Sequence, residues 1–290
     1  MRAAPVLILG STGQLGGELV AALGTSEIGK VHALSHGDLE LCDAAAVRSA
    51  VERLRPGFVI NATAWNHVDA AETDPAPSFA LNTAAVASLA RICREAGALL
   101  VHFSTDYVFD GKAQRPYEET DLPSPVNLYG LSKLAGEEAI RLLASRHCIV
   151  RTCGLYGRFR SRQAKRNFVD AILEKAASDQ PLQVRTDLTC TPTSASELAG
   201  VVCQLLKGGA VGTFHATNRG HCTWHEFACE ILRQRGIRRE VLPVASEPGP
   251  GGASRPAWSV LSGDKLAASG IPAMSPWQEG LAAYLERCSA

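Results

Sequence analysis

The segment NLYGLSKLAGEEA sets Tyr129 and Lys133 four residues apart. On a helix that spacing puts both side chains on one face, one turn apart. A free phenol, with a pKa of about 10, exchanges protons poorly at neutral pH, and an adjacent ammonium stabilises the phenolate and draws the value down. Such a pair suits proton transfer to a hydroxyl or carbonyl oxygen, and Lys133 is also placed to hold a cofactor's ribose hydroxyls. The pattern arises by chance on many helices, so its meaning depends on its surroundings. A second polar set, Ser104, Thr105 and Asp106 in FSTDYVFDG, interrupts an apolar run, Leu99 to Phe103, that reads as a buried strand. Ligands of open α/β sheets bind outside the carboxyl ends of the strands. Thr105 there can hydrogen-bond a substrate oxygen alongside Tyr129. A capped strand followed by a turn would leave the same pattern.

A third constellation is ILGSTGQLGGEL, where Gly10, Gly13 and Gly16 recur every three residues between an apolar run and a helical one. A tight turn, a backbone that approaches a pyrophosphate and a helix packed close to its strand each exclude a Cβ. The free amides at the helix start then face anionic oxygens. Dinucleotide binding is the expectation. An acid ending the second strand would select the ribose 2′-hydroxyl of NADH, but VHALSHGDLEL has Ser35 and His36 there, with Asp38 beyond them. Ser11, Thr12 and His36 can accommodate a 2′-phosphate. NADPH is therefore expected with NADH left open, and Asp38 reaching back to the ribose would reverse the preference.

These groups need a frame. Short aliphatic runs alternate with amphipathic ones: VLILG then 14–23, VHAL then 43–54, FVINAT then 75–96, LLVHFS then 125–144, and finally CIVRT. This rhythm predicts a parallel sheet covered on both faces, an α/β, doubly wound Rossmann fold. Residues 1–153 are expected to bind the dinucleotide. Residues 154–290 are expected to form a smaller C-terminal substrate-binding lobe, with some segments returning to the sheet. Helices are predicted to about 177, over 194–206, 223–234 and 276–287, and strands over 182–185 and 213–216. The run SEPGPGGASRP, 246–256, is too rich in Gly and Pro for an element and reads as a connector or lid.

The bulk composition excludes more than it selects. Among 290 residues 46% are hydrophobic and 20% charged, and 29 basic residues balance 29 acidic ones, so nothing points to nucleic acid or an anionic membrane. The first apolar run meets a glycine turn rather than a cleavage site, and no run approaches the roughly eighteen residues of a membrane span. A cytoplasmic protein is expected. Nine cysteines without a C-x-x-C pair argue against a disulfide framework. His221, Cys222, His225 and Cys229 follow no recognised ligand spacing, and no metal is expected. Five cations, Arg158, Arg160, Arg162, Lys165 and Arg166, lie within nine residues and suit either a pyrophosphate or a solvated loop.

GSTGQLGGEL, VINATAWNHVDAAE, FSTDYVFDG, NLYGLSKLAGE, RTCGLYG and SRPAWSVL together resemble the extended short-chain dehydrogenase/reductases, and within them the dTDP-4-dehydrorhamnose reductases. The resemblance implies NAD(P)H-dependent reduction of the C4 ketone of a nucleotide-linked 4-keto-6-deoxyhexose, with dTDP the expected nucleotide, Tyr129 delivering the proton, Thr105 assisting and Lys133 anchoring the ribose. It further implies that Gly13, Gln14 and Leu15 cradle the pyrophosphate, Glu40 and Leu41 lie near adenine, Ala64 and Trp65 run along the cofactor, and Phe103 packs in the cleft. Asp106, Asn167 and Arg255 would face the nucleotide sugar. Dehydratases of the superfamily carry Thr-Asp-Glu where this chain has Thr105-Asp106-Tyr107, which disfavours dehydration. An epimerase shares the Tyr and Lys, and a non-catalytic NADP-binding subunit like the methionine adenosyltransferase β subunit shares the family. Gly154 replaces a tryptophan common in the reductases, removing a flat wall from the expected pocket. A homodimer is the default assembly.

Overall fold

The computed structural model describes residues 4–159, 166–178, 180–245 and 252–289. Strands β1 (Val6–Leu9), β2 (Val31–Leu34), β3 (Phe58–Asn61), β4 (Leu99–Thr105) and β5 (His147–Thr152) fall where the apolar runs predict. The short β6 (Leu155–Tyr156), β7 (Gln183–Arg185), β8 (Thr189–Cys190) and β9 (Thr193–Ser194) follow, then β10 (Gly212–His215), β11 (Cys222–Thr223) and β12 (Leu242–Val244). One six-stranded sheet runs β10-β5-β4-β3-β1-β2, and every pairing in it is parallel. The chain steps outward from β1 to β2 and then returns past β1 to β3, so the sheet has its switch point between β1 and β3, the crevice where such sheets bind ligands. β10 comes from beyond residue 153 and closes the far edge on β5.

Helices α1 (Gln14–Gly24), α2 (Ala44–Leu54), α3 (Val68–Thr73), α4 (Ala76–Phe79), α5 (Val86–Ala96) and α6 (Leu128–Leu143) precede α7 (Phe168–Ala176), α8 (Ala195–Gly208), α9 (Trp224–Gln234), α10 (Asp264–Ala268) and α11 (Trp277–Ser289). Leu15 and Leu19 of α1 and Leu198 and Val202 of α8 pack with Val6, Ile8 and Val101 on one face of the sheet. Val47 of α2, Leu89 of α5 and Ile140 of α6 pack with Leu7, Leu9 and Leu100 on the other. Alternate residues of each strand thus serve two cores, which is why the strands read as continuous apolar runs. All seven residues of β4 are buried, and each such aliphatic side chain contributes roughly 1.5–3 kcal/mol. A third core, built on Tyr156, Phe227, Trp277 and Tyr284, joins α7, α9 and α11.

Two boundaries differ from expectation. The single helix predicted over 75–96 is α4 and α5 joined by a π-helical segment, Ala80–Ala85. The wider turn brings Asn82 inside, where its side chain accepts from the Trp65 amide at 2.9 Å and donates to Ser132 Oγ at 3.0 Å. Periodicity cannot register one such turn. The helix predicted from Pro125 starts at Leu128, because Asn127 caps it by accepting from the Gly130 amide at 2.7 Å. No helix among the described residues is long and apolar enough to cross a membrane.

Candidate functional site

The glycine turn lies at the carboxyl end of β1. Gly10 sits at φ +80°, and a Cβ on Gly16 would stand 2.0 Å from the Gly10 carbonyl oxygen, so α1 can pack this close to the turn only without one. No side chain caps α1 and no acid stands in its first turn, which leaves its amides turned to the crevice. Gln14 is anchored away, donating to the Leu155 carbonyl at 2.8 Å. Leu15 is buried in the core, so only its backbone faces the turn. Thr12 is exposed.

At the end of β2, Asp38 does reach back: its carboxylate accepts from the Ser35 amide at 2.9 Å and from Ser35 Oγ at 2.6 Å. These bonds hold its pKa below the ordinary carboxylate value. The acid absent from the strand end in sequence is supplied by the turn three residues on. His36 pairs with Glu40 at 3.0 Å, both exposed, while Leu41 packs into the core. After β3 the exposed Ala64 and the half-buried Trp65 form a loop clamped by Asn82.

The polar end of β4 meets the start of α6 in a cleft of about 170 Å³ lined by Thr105, Asp106, Tyr107, Tyr129, Cys153 and Ser259, among others. Thr105 Oγ1 donates to Asp106 Oδ1 at 2.9 Å and accepts from the Tyr107 amide at 3.2 Å. Cys153 Sγ donates to Asp106 Oδ2 at 3.0 Å. Burial raises the Asp106 carboxyl, while its bonds from Ser259, Cys153 and Thr105 favour the charged form. Tyr129 meets Tyr107 edge to face, with ring centroids 5.9 Å apart.

The expected lowering of the phenol by Lys133 is not what the structure shows. Burial and the Asp106 charge raise Tyr129 above its ordinary value, with the Thr105 hydrogen bond acting against them. Lys133 is 2% exposed and turns toward β4, donating to the Phe103 carbonyl at 2.6 Å. The i, i+4 spacing fixes the face but not where a flexible four-carbon stem ends. Phe103 thus contributes its carbonyl to the lysine, and its ring is buried against the sheet.

The proposed substrate residues fare differently. Arg255 Nη2 grips Asp69 of α3 through both carboxylate oxygens, at 2.9 and 2.8 Å. The adjacent Pro256 lines the cleft, and Asn127 donates to the Ser254 carbonyl at 2.8 Å, so the connector's end lies against α6. Asn167 is engaged elsewhere: it caps α7 and its amide group meets Gly157, Asp170 and Tyr284. It does not line the cleft. Of the basic run, Arg158 lies 3.4 Å from buried Glu18 and Arg166 pairs with Glu174. Arg160, Arg162 and Lys165, with connector residues 246–251, lie outside the described residues.

Gly154 lines the cleft at φ +54°, where a side chain strains the backbone, and its Cβ would meet Thr191 and Pro192 at 3.2 Å. The missing wall is thus built into the main chain, and Trp224 at the start of α9 lends an aromatic face to the same cleft. Sequence reasoning missed Asn82, Cys153, Ser259 and Trp224. It also missed Glu72, whose carboxylate accepts from the Leu128 amide at 2.7 Å. Only Asn127, directly before an apolar-periodic run, carried a readable signal.

The profile of the RmlD substrate binding domain family matches residues 4–290. The chain is 37% identical to dTDP-4-keto-6-deoxy-D-glucose reductase of Streptomyces niveus over 278 residues, 95% of this chain and 94% of that one. It is 34% identical to dTDP-4-dehydrorhamnose reductase of Salmonella typhimurium over 293 residues, 95% of each. The crystal structure of dTDP-4-dehydrorhamnose reductase from Bacillus anthracis in complex with NADP superposes with a TM-score of 0.91 at 31% identity, covering 99% of both chains. With a glycine turn at the switch point and a Thr105–Tyr129 cleft above β4, the chain belongs to the RmlD substrate binding domain family.

Proposed function

We propose that the protein reduces the C4 ketone of a dTDP-linked 4-keto-6-deoxyhexose, using NADPH and accepting NADH. The reading is carried by one observation: the Tyr129 and Thr105 hydroxyls meet in a cleft at the carboxyl end of β4, on the ligand-binding side of the sheet. The relatives' names supply the substrate class, and the NADP complex of the Bacillus protein supports the cofactor.

The residues present fit a dinucleotide. The absence of a Cβ at Gly16 lets α1 start hard against the Gly10 turn, and the uncapped start of α1 offers amides to a pyrophosphate. Gly10, Thr12, Gly13, Gln14 and Leu15 would hold that end, Ser35, His36, Glu40 and Leu41 the adenosine, Ala64, Trp65, Phe103 and Lys133 the remainder. Bound there, the cofactor supplies the hydride that reduces the carbonyl carbon.

The chain handles the oxygen. Tyr129, raised by burial and by Asp106, keeps its proton at neutral pH and so serves as donor rather than base. Thr105 accepts from the Tyr107 amide and donates to Asp106, which is itself held by Cys153, so its oxygen is held at the cleft before substrate arrives. When a ketone oxygen enters between the two hydroxyls, Thr105 turns its single proton from Asp106 to that oxygen, which receives the Tyr129 proton as charge develops. Arg255, next to the cleft-lining Pro256, would take the diphosphate by exchanging its Asp69 carboxylate for it. The test mixes protein, NADPH and a dTDP-4-keto-6-deoxyhexose and follows loss of the reduced-nicotinamide absorbance. Substrate-dependent oxidation is expected, and none with either cofactor would refute the assignment.

A further inference from the structure

Lys133 has a neighbour that the proposed reaction does not use. His102, on β4, is 0% exposed, and its Nε2 faces Lys133 Nζ at 3.4 Å. Its Nδ1 faces Asn61 Nδ2, on β3, at 3.1 Å. The hydrogen-bond roles along this row are determined. Asn61 Oδ1 takes the Thr63 backbone amide at 3.1 Å and Thr63 Oγ1 at 2.7 Å. A backbone N–H only donates, so the oxygen of Asn61 must point to Thr63 and its NH₂ to the histidine. An amide NH₂ also only donates, so His102 Nδ1 must accept. Burial holds His102 far below its ordinary value, and Lys133 pushes the same way whenever it is charged, so the ring is neutral in either state of the lysine and its single proton sits on Nε2, toward Lys133.

That proton has a consequence. An ammonium carries only donors, so Lys133 in its charged form would face the His102 N–H donor to donor. As a neutral amine it offers a lone pair to that N–H and still donates to the Phe103 carbonyl. We propose that Asn61 and His102 are positioning residues: Asn61 fixes the histidine tautomer, and the histidine N–H favours the amine form of Lys133 in the resting enzyme, setting the pH at which the lysine is charged.

The other groups around Lys133 fit this arrangement. Glu137, one turn along α6, pulls toward the ammonium, but its carboxylate is held by Arg151 from β5 at 2.9 and 2.7 Å and by Arg141. Asp106 lies beside Tyr129, and Thr105 and Cys153 bond its carboxylate. Burial already brings Lys133 down to about 8, against Glu137, so a modest further bias acts where the enzyme would work. When Tyr129 gives its proton to the substrate oxygen, the phenolate one turn away favours the ammonium, and a proton drawn from solvent onto Lys133 balances that charge. The inference rests on the proposed Tyr129 chemistry for its kinetic consequence, but not for the tautomer.

Two readouts separate those parts. In ¹⁵N-histidine-labelled protein, proton–nitrogen correlation spectra distinguish the tautomers, with His102→Phe identifying the signal. Parent protein should show His102 protonated on Nε2 and bare on Nδ1. Asn61→Asp keeps the oxygen for Thr63 but presents a second acceptor to the ring, so the proton should move to Nδ1. The basic limb of kcat/KM should then move up by about one pH unit, because an acceptor now faces the ammonium. His102→Phe, which removes the N–H without adding a charge, should move the limb the same way, and it stands in if Asn61→Asp does not fold. A parent ring protonated on Nδ1 overturns the proposal. So does a basic limb that stays in place in a folded Asn61→Asp or His102→Phe variant. Absence of turnover in parent protein, with the Nε2 tautomer observed, would sink the reductase reading and leave the tautomer lock standing.

Discussion

Tyr129 is kept protonated by the same carboxylate that organises its partner. Asp106 raises the phenol by charge and orients Thr105 through a 2.9 Å hydrogen bond. In the proposed reaction one residue would therefore keep the Tyr129 proton in place and hold the hydroxyl beside it. Asp38 plays a comparable part at the other end of the cofactor crevice. Its carboxylate is exposed and folded onto Ser35, where it would accept from the 2′-hydroxyl of NADH and weaken, without excluding, the hold on the 2′-phosphate of NADPH. Asp38→Asn removes the charge while keeping the shape. Its ratio of kcat/KM for NADPH over NADH should rise about tenfold, and an unchanged ratio would show that Asp38 does not read the ribose. Neither role could be read from spacing alone: Asp38 stood beyond the strand end, and only the folded turn returns it.

At the scale of elements, α6 is the part that has to be placed. Its first turn carries Tyr129, and Asn127, Glu72 and the Ser254 carbonyl fasten that turn from three directions. Asn127→Ala strips the cap. It should cost about 1 kcal/mol of stability and lower Tm by about 3 °C, with kcat falling more than cofactor affinity because the phenol loses its fixed position. Equal loss of both would indicate general loosening. The strands and most helices were legible because continuous aliphatic runs and a 3.6 period leave strong signals, as β4 and α8 show. The π-helical segment at Ala80–Ala85 and the two two-stranded pairings of two residues each were not, because their geometry follows from Asn82, Gly154 and long-range contacts rather than from local pattern. The dyad was legible as a spacing, whereas the direction of the Lys133 side chain came only with β4 in place.

Across the whole molecule, buried ionisable groups link stability to pH. His215 on β10 faces Arg151 at 3.4 Å and the Tyr117 carbonyl at 3.0 Å, and burial with the Arg151 charge lowers it to about 3. The unfolded chain, with an ordinary histidine near 6.5, binds more protons between those values, so stability falls as pH drops below about 6.5 toward 3. His102 acts in the same direction. At pH 5 His215 should cost about 2 kcal/mol relative to pH 7. Denaturation at the two pH values should show at least that loss, and His215→Gln should remove about 2 kcal/mol of it; a variant with the parent's pH dependence would place the acid sensitivity elsewhere. The parallel sheet, the capped α6 and the returning β10 frame the cleft in which Tyr129 is the proposed proton donor.

The most direct test compares single-turnover reduction of a dTDP-4-keto-6-deoxyhexose by NADPH in parent and Tyr129→Phe protein, with cofactor binding measured on both. The account predicts unchanged NADPH affinity and a rate lower by roughly a hundredfold or more. A Tyr129→Phe protein that binds cofactor normally and reduces the sugar as fast as the parent would contradict it.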